Sequence, residues 1–312
     1  MEADANLSMP SNLLIGTASW SDPEFVRDWY PRGLPAQERL RFYAGRFQMV
    51  ELNSSFYGIP QKRQVQQWTQ VTPPGFTFNV KLHKLLSRHS CEKKMLPPAL
   101  QKIAETTGND RVKLTPEIEV ATAKAFLEAI QPFQVAGKLG ALLLQLSPSF
   151  SPRQNRLAEL EPLLDLLASC TVAMELRNRN WVEGNHLAQT TGFLRERRVT
   201  LVSVDAPQSE NFNVMPALDA ITNPSLAYLR LHGRNAHGYI SGKSVPERFD
   251  YDYRDDELEE VYRRVNRLGS QTDHVYVIFN NNRSNFAPKN AIRFREIAGQ
   301  QPIAAPRTGD LA

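Results

Sequence analysis

Three carboxylates, Glu51, Glu175 and Asp205, and four cations or donors, Lys81, Arg177, Arg230 and His232, each stand at the C-terminal end of a short apolar run. His83 lies just beyond Lys81, while Arg234 and His237 follow His232 in "LHGRNAHGY". Burying an unpaired charge costs on the order of several kcal/mol, so such groups persist when paired, hydrated or used. Arginine forks match phosphate or carboxylate oxygens, and a carboxylate or histidine can act as general base, so the set suits an anionic substrate. Glu51, Glu175, Asp205 and His232 are the candidate catalytic residues, with His232 the best acid–base candidate by residue type. Thr17, Trp20, Asn53, Lys81, His83, Gln145, Arg177, Arg230, Arg234 and Asn280 are the candidate substrate- or anion-binding residues. The four catalytic candidates could instead converge on a divalent ion. No His-x-x-x-His or Asp-x-Asp spacing links these four residues, and two arginines would repel a cation, so a metal is possible but not favoured.

Eight strand-like runs must position these groups: "LLIGTASW" from 13, "MVELNS" from 49, "FTFNVK" from 76, "GALLLQL" from 140, "TVAMELR" from 171, "TLVSVDA" from 200, "LAYLRLHG" from 226 and "HVYVIFNN" from 274. Segments of helical periodicity separate them. Leu40, Tyr43, Ala44 and Phe47 form one stripe, and Leu157, Leu160, Leu164 and Leu167 another. Eight strands alternating with helices predict one closed, parallel (β/α)8 barrel over residues 13–299, with tails at 1–12 and 300–312. The sixth unit, "PQSENFNVMPALDAITNP", lacks a helical stripe, and the segment from 82 to 139 is long enough for two helices and a loop.

Residues two apart share a strand face. On that basis Glu51 and Asn53 oppose Val50 and Leu52, and Lys81 and Asn79 oppose Phe78 and Val80. Glu175 and Arg177 oppose Met174 and Leu176, Asp205 and Ser203 oppose Val202 and Val204, and Arg230 and His232 oppose Leu229 and Leu231. Asn280, Gln145, and Thr17 with Ser19 complete a polar ring at the strand ends, where barrel active sites are built. Barrel interiors also hold ion-pair layers, and Glu175 with Arg177 or Glu51 with Lys81 fits that structural role equally.

A net charge of +4 over 312 residues is compatible with a polyanion without requiring one. Lys84, Arg88, Lys93 and Lys94 concentrate after the third strand, and with Trp20, Trp29, Tyr30 and Tyr57 they could track a nucleic-acid strand. A solvated basic helix end with aromatics packed beneath explains the same residues. Two cysteines, Cys91 and Cys170, give no disulfide framework, and neither a signal peptide nor a membrane-spanning run is evident, so a cytoplasmic protein without membrane contact is expected. A monomer is the default.

The runs "GTASW", "VELNSSFY", "FNVKLHKLLSRH", "LGALLLQLSPSF", "VAMELRNRNW", "YLRLHGRNAHGY", "YDYRDDEL" and "VYVIFNNN" resemble, in order, those of the DUF72 (YecE-like) family, spanning roughly residues 13–292. The resemblance implies a TIM barrel and supplies little function, since the family is named as uncharacterised. The chain departs from the family pattern at Ala18 and Ser19, where Ser-Gly is usual, at Ser147 beside Pro148, where two prolines are usual, and at Asn282, where histidine is common. The functional expectation is a hydrolase cleaving phosphodiesters of a phosphate-bearing, nucleic-acid substrate. The alternatives are a carbohydrate or sugar-phosphate enzyme using Glu51 and Glu175 as its carboxylate pair, or a ligand-binding barrel without catalysis.

Overall fold

The computed structural model describes residues 12–303. Eight strands form a closed, all-parallel barrel in sequence order: β1 (Leu13–Ala18), β2 (Met49–Leu52), β3 (Thr77–Lys81), β4 (Leu139–Gln145), β5 (Thr171–Glu175), β6 (Thr200–Asp205), β7 (Ala227–Leu231) and β8 (Val275–Phe279). β1 closes on β8 through the pairs Leu13 with Val275 and Thr17 with Phe279. Closure leaves no exposed sheet edge. Asn12 and Gln300, expected in loose tails, are tied to the barrel floor, since Val275 N donates to Asn12 O and Gln300 Nε2 to Leu13 O. The rest of the expected tails, 1–11 and 304–312, lie outside the described residues.

The outward strand faces are mostly apolar and pack on the helices. Phe76 and Phe78 meet Tyr43 and Phe133, with Phe78 and Phe133 stacked at 4.2 Å between centroids. The predicted stripes are buried: Leu40, Tyr43 and Ala44 on helix Arg39–Ala44, and Leu160 and Leu164 across the 3-10 turn Leu157–Leu160 and helix Glu161–Leu166. No helix joins β6 to β7. The long segment after β3 folds into helices Pro98–Ile103 and Pro116–Val135. Leu85, Cys91, Leu96, Leu100, Val112 and Ile118 give it a small core of its own beside the main one. No described helix is long and apolar enough to cross a membrane.

Strand register decides which side chains face the barrel axis, because parallel partners at the same level point the same way. Ala18 pairs with Glu51, Glu51 with Asn79, Lys81 with Leu143, and Gln145 with Glu175. All of these face inward. On β6 the register pairs Val204 with Arg230 and Asp205 with Leu231, so Val202 and Val204 face the axis while Ser203 and Asp205 face the outer layer. That reverses the faces expected for β6. β1 behaves alike, with Thr17 beside Val50 and therefore directed outward.

Candidate functional site

The C-terminal mouth opens into a cleft of about 480 Å³. Its floor is Arg230, a fully buried guanidinium held between two fully buried carboxylates. Arg230 Nη2 donates to Glu51 Oε1 at 2.7 Å, Nε donates to Glu51 Oε2 at 3.1 Å, and Nη1 donates to Glu175 Oε2. Tyr228 Oη also donates to Glu51 Oε2, at 2.8 Å, and Gln145 Nε2 to Glu175 Oε1 at 2.9 Å. Asn280 bridges the network, its Oδ1 accepting from Arg230 at 3.3 Å and its Nδ2 meeting His232 Nδ1 at 2.9 Å. Burial alone would raise the Glu175 carboxyl. The charges of Arg230, then His232 and Arg177, outweigh that and hold it well below the usual carboxylate range. Burial pushes His232 down, against the pull of Glu175.

Above this floor the cleft is lined by cations and amides. Lys81 Nζ lies 4.3 Å from the centre of the Phe56 ring. Its pKa is lowered to about 7, by burial first and the Arg230 charge second, against Glu51 and Glu175. Arg177 stands 3.7 Å from Glu175, with Nε buried and unpartnered, and its guanidinium lies 5.9 Å from the Tyr239 ring centre. Arg248 donates to Gly242 O at 2.8 Å and, among the described residues, pairs with no carboxylate. Asp22, an N-cap whose carboxyl is raised by burial, is the only acidic residue among the described lining residues. The buried oxygens of Asn53, Asn213 and Asn282 also lack partners there. These oxygens can accept from a ligand, and that of Asn282 is fixed as an acceptor because its Nδ2 donates to a backbone carbonyl.

Glu51, Glu175, Arg230, His232, Gln145 and Asn280 are brought together as one network, with Lys81, Asn53 and Arg177 on the cleft wall. Other candidates lie elsewhere. Asp205 accepts from Tyr253 Oη at 2.7 Å and from Arg234 Nη2 at 2.8 Å, on the outer side of β6. Arg234 is thereby committed to Asp205 and Glu260. Thr17 Oγ1 meets the Tyr43 hydroxyl at 3.0 Å under the helices. Trp20 packs edge-on against Trp68 and Phe78 in the core, because its ring turns away from the mouth. His83 is buried, its backbone neighbour Leu85 N donating to Nδ1, and it does not reach the cleft. His237 is exposed.

The basic stretch is partly spent within the fold, through Arg88 and Lys93, while Lys94 stays exposed. Arg88 pairs with Glu119 at 2.5 Å, Lys94 with Glu92 at 2.8 Å, and Lys93 Nζ donates to Ala104 O at 3.0 Å. Tyr30 and Trp20 are core residues, and Tyr57 is the aromatic of that set that stays exposed at the cleft. The described residues contain no group of three or more His, Cys, Asp or Glu placed to hold a metal ion. With Asp205 facing the outer layer, the four-residue metal arrangement cannot form.

Sequence reasoning missed His89, Tyr239, Arg248 and Phe249, which also line the cleft. His89 Nε2 sits 3.2 Å from Gln145 O, and burial lowers its pKa to about 4. The other three come from the irregular stretch after β7, whose residues have no strand register to read. An aromatic and an arginine on either side of Gly242 were the available signal.

A family model described as "Protein of unknown function DUF72" matches residues 14–310. The chain belongs to the DUF72 family. Another relative of this DUF72 chain is the UPF0759 protein YunF of Bacillus subtilis (strain 168), 29% identical over 304 residues, covering 96% of this chain and 99% of the relative. Among solved structures, a DUF72 family protein of Enterococcus faecalis V583 superposes with a TM-score of 0.75 at 27% identity, covering 95% of this chain and 99% of that one. A DUF72 family protein of Thermotoga maritima MSB8 gives 0.74 at 26% identity, over 93% and 100% of the two chains. The family motif that usually reads Ser-Gly has Ala18 and Ser19 in this DUF72 chain, and Ser19 adopts φ 88, a backbone region that glycine enters freely and serine does not. Asn282, where histidine is common, donates through Nδ2 to Ala18 O at 2.9 Å and so ties β8 to that same turn.

Proposed function

We propose that the cleft is the active site of an enzyme acting on a small phosphate-bearing molecule of sugar-phosphate type. The observation that carries this reading is a separation of charge. The two floor carboxylates share Arg230 and, at 3.7 Å from Glu175, Arg177, while Lys81 and Arg248 line the cleft without an ion-pair partner among the described residues. A phosphate fits such a set, arginine supplying paired donors and lysine a compact charge. The unpartnered amide oxygens of Asn53, Asn213 and Asn282 suit the hydroxyls of the remainder as acceptors. Glu51 and Glu175 do not act as a glycosidase pair in this reading, since their oxygens are taken up by Arg230, Tyr228 and Gln145.

Phosphodiester hydrolysis on nucleic acid is the second reading. Lys81, with its pKa near 7, favours it as a base that could take a proton from water. It would need a cationic track beyond the cleft, and Arg88 and Lys93 are engaged within the fold. Calorimetric titration with ribose 5-phosphate, ribose and a single-stranded oligonucleotide separates these readings. Ribose 5-phosphate should bind, ribose should not, and Arg177→Gln should weaken the phosphate ester by about 10–100-fold, the worth of a charged hydrogen bond. Equal binding of ribose and its phosphate, or an indifferent Arg177→Gln, would sink the first reading. Tight oligonucleotide binding that falls steeply with salt would move the conclusion to the second.

A further inference from the structure

We propose that Lys81 is a nucleophile: its Nζ condenses with an aldehyde or ketone carbon of the substrate to form an imine, while Arg177 and Arg248 hold the phosphate. This rests on the phosphate reading and deepens it by requiring a carbonyl in the same molecule. The geometry supports it in three ways. Lys81 ends β3, so its backbone is fixed by the barrel, and its carbonyl accepts from Ser55 Oγ at 2.6 Å. Its amine enters the cleft over Phe56 and, among the described residues, has no ion-pair or hydrogen-bond partner to hold it as a structural ammonium. His89 packs edge-on against the same Phe56 ring at 5.0 Å, placing a second nitrogen base beside the amine.

The chemistry balances without a cofactor. The amine lone pair attacks the carbonyl carbon, the C=O π bond breaks toward oxygen, and the nitrogen proton moves to that oxygen, giving a carbinolamine. Loss of the hydroxyl as water, with a second proton, leaves C=N. Nothing is oxidised or reduced. With its Nε2 against the Gln145 carbonyl, His89 must carry its hydrogen there, leaving the Nδ1 lone pair to relay protons. At pH 7 an amine with a pKa near 7 is about half neutral, a fraction on the order of 10³ larger than for an ordinary lysine.

The test is reductive trapping on the full chain with glyceraldehyde 3-phosphate and sodium cyanoborohydride at pH 7, with the labelled lysine located by peptide mass mapping. One label should appear on Lys81 at least about tenfold faster than on any other lysine, given its larger neutral fraction. Glyceraldehyde without the phosphate should label it more slowly, and inorganic phosphate should protect it. Lys84→Met should label like the wild type, and Lys81→Met should lose the fast phase. Mapping on the wild type alone decides the matter should Lys81→Met fail to fold. Labels spread evenly over surface lysines, with phosphate binding intact by calorimetry, would overturn the imine and leave the phosphate reading standing. Fast labelling of Lys81 that neither requires nor yields to phosphate would support the nucleophile and overturn the phosphate reading.

Discussion

Among the described residues, Arg230→Gln removes the only cation that touches both floor carboxylates. The guanidinium makes three hydrogen bonds to ionised groups, two to Glu51 and one to Glu175, and a fourth to Asn280. Charged hydrogen bonds are worth roughly 1.5–3 kcal/mol each, but desolvation of three buried ions offsets much of that sum. Breaking one partner of a buried pair costs about 3–5 kcal/mol, because the orphaned charge stays in the interior. At roughly 2–4 °C per kcal/mol for a chain of this size, the melting temperature should fall by about 10 °C. The deficit should also depend on pH, with a defined sign. In the wild type Glu175 has a depressed pKa, so its stabilisation is complete above the unfolded carboxylate value of about 4.3 and is lost as pH falls through the folded value. Without Arg230 the same burial favours the protonated acid. The variant's deficit should therefore be largest near pH 7 and shrink toward pH 4–5 (estimates on the scale of reference carboxylate values). Thermal melts of both proteins across that range are the assay. A loss of under about 1 kcal/mol at pH 7, within the range of an ordinary surface change, or a gap that widens on acidification, would refute the buried-network argument.

Three further outcomes follow from the described contacts. Lys81→Met should be more stable than the wild type below pH 7, with the advantage fading toward pH 10.5. Between about pH 7 and 10.5 the folded chain, in which burial first and the Arg230 charge second oppose the ammonium against Glu51 and Glu175, binds fewer protons than the unfolded one; melts at about pH 6 and about pH 9 check it. Ser19→Gly should raise stability by about 1 kcal/mol, since a left-handed serine costs roughly 1–2 kcal/mol and glycine's extra chain entropy returns only part; a lower melting temperature would show no strain at that turn. Asp205→Asn should cost about 2–3 kcal/mol through its lost bonds to Tyr253 and Arg234, yet leave ribose 5-phosphate affinity unchanged in calorimetry.

The barrel was legible because its strands and helical stripes repeat with different periods, and all eight runs became strands. Much of the floor was legible too, since Glu51, Glu175 and Arg230 lie inward at one level. Face assignment failed where both faces carry polar groups. Thr17 and Asp205 look like mouth residues in the sequence, but Tyr43 and Tyr253 from distant segments satisfy them under the outer layer. Alternation fixes which residues share a face, not which face turns inward, and an outer-layer partner cannot be seen from the strand itself. Arg248 and Phe249 were hidden for another reason. They reach the cleft from beyond helix Ala236–Ser241, along a stretch whose path depends on Gly233 at φ 86 packed against Tyr251.

Because Arg230 and Arg177 together offset the two carboxylates beneath the cleft, the floor adds little net charge for whatever enters. Recognition and folding then draw on different residues. Arg230, Glu51 and Glu175 hold the scaffold, while Arg248, Asn213, Tyr239 and Phe249 sit on connecting segments that can be exchanged. Swapping those segments between homologues should retune ligand preference with little effect on the melting temperature, which makes this barrel a tractable starting point for engineering new anion specificities.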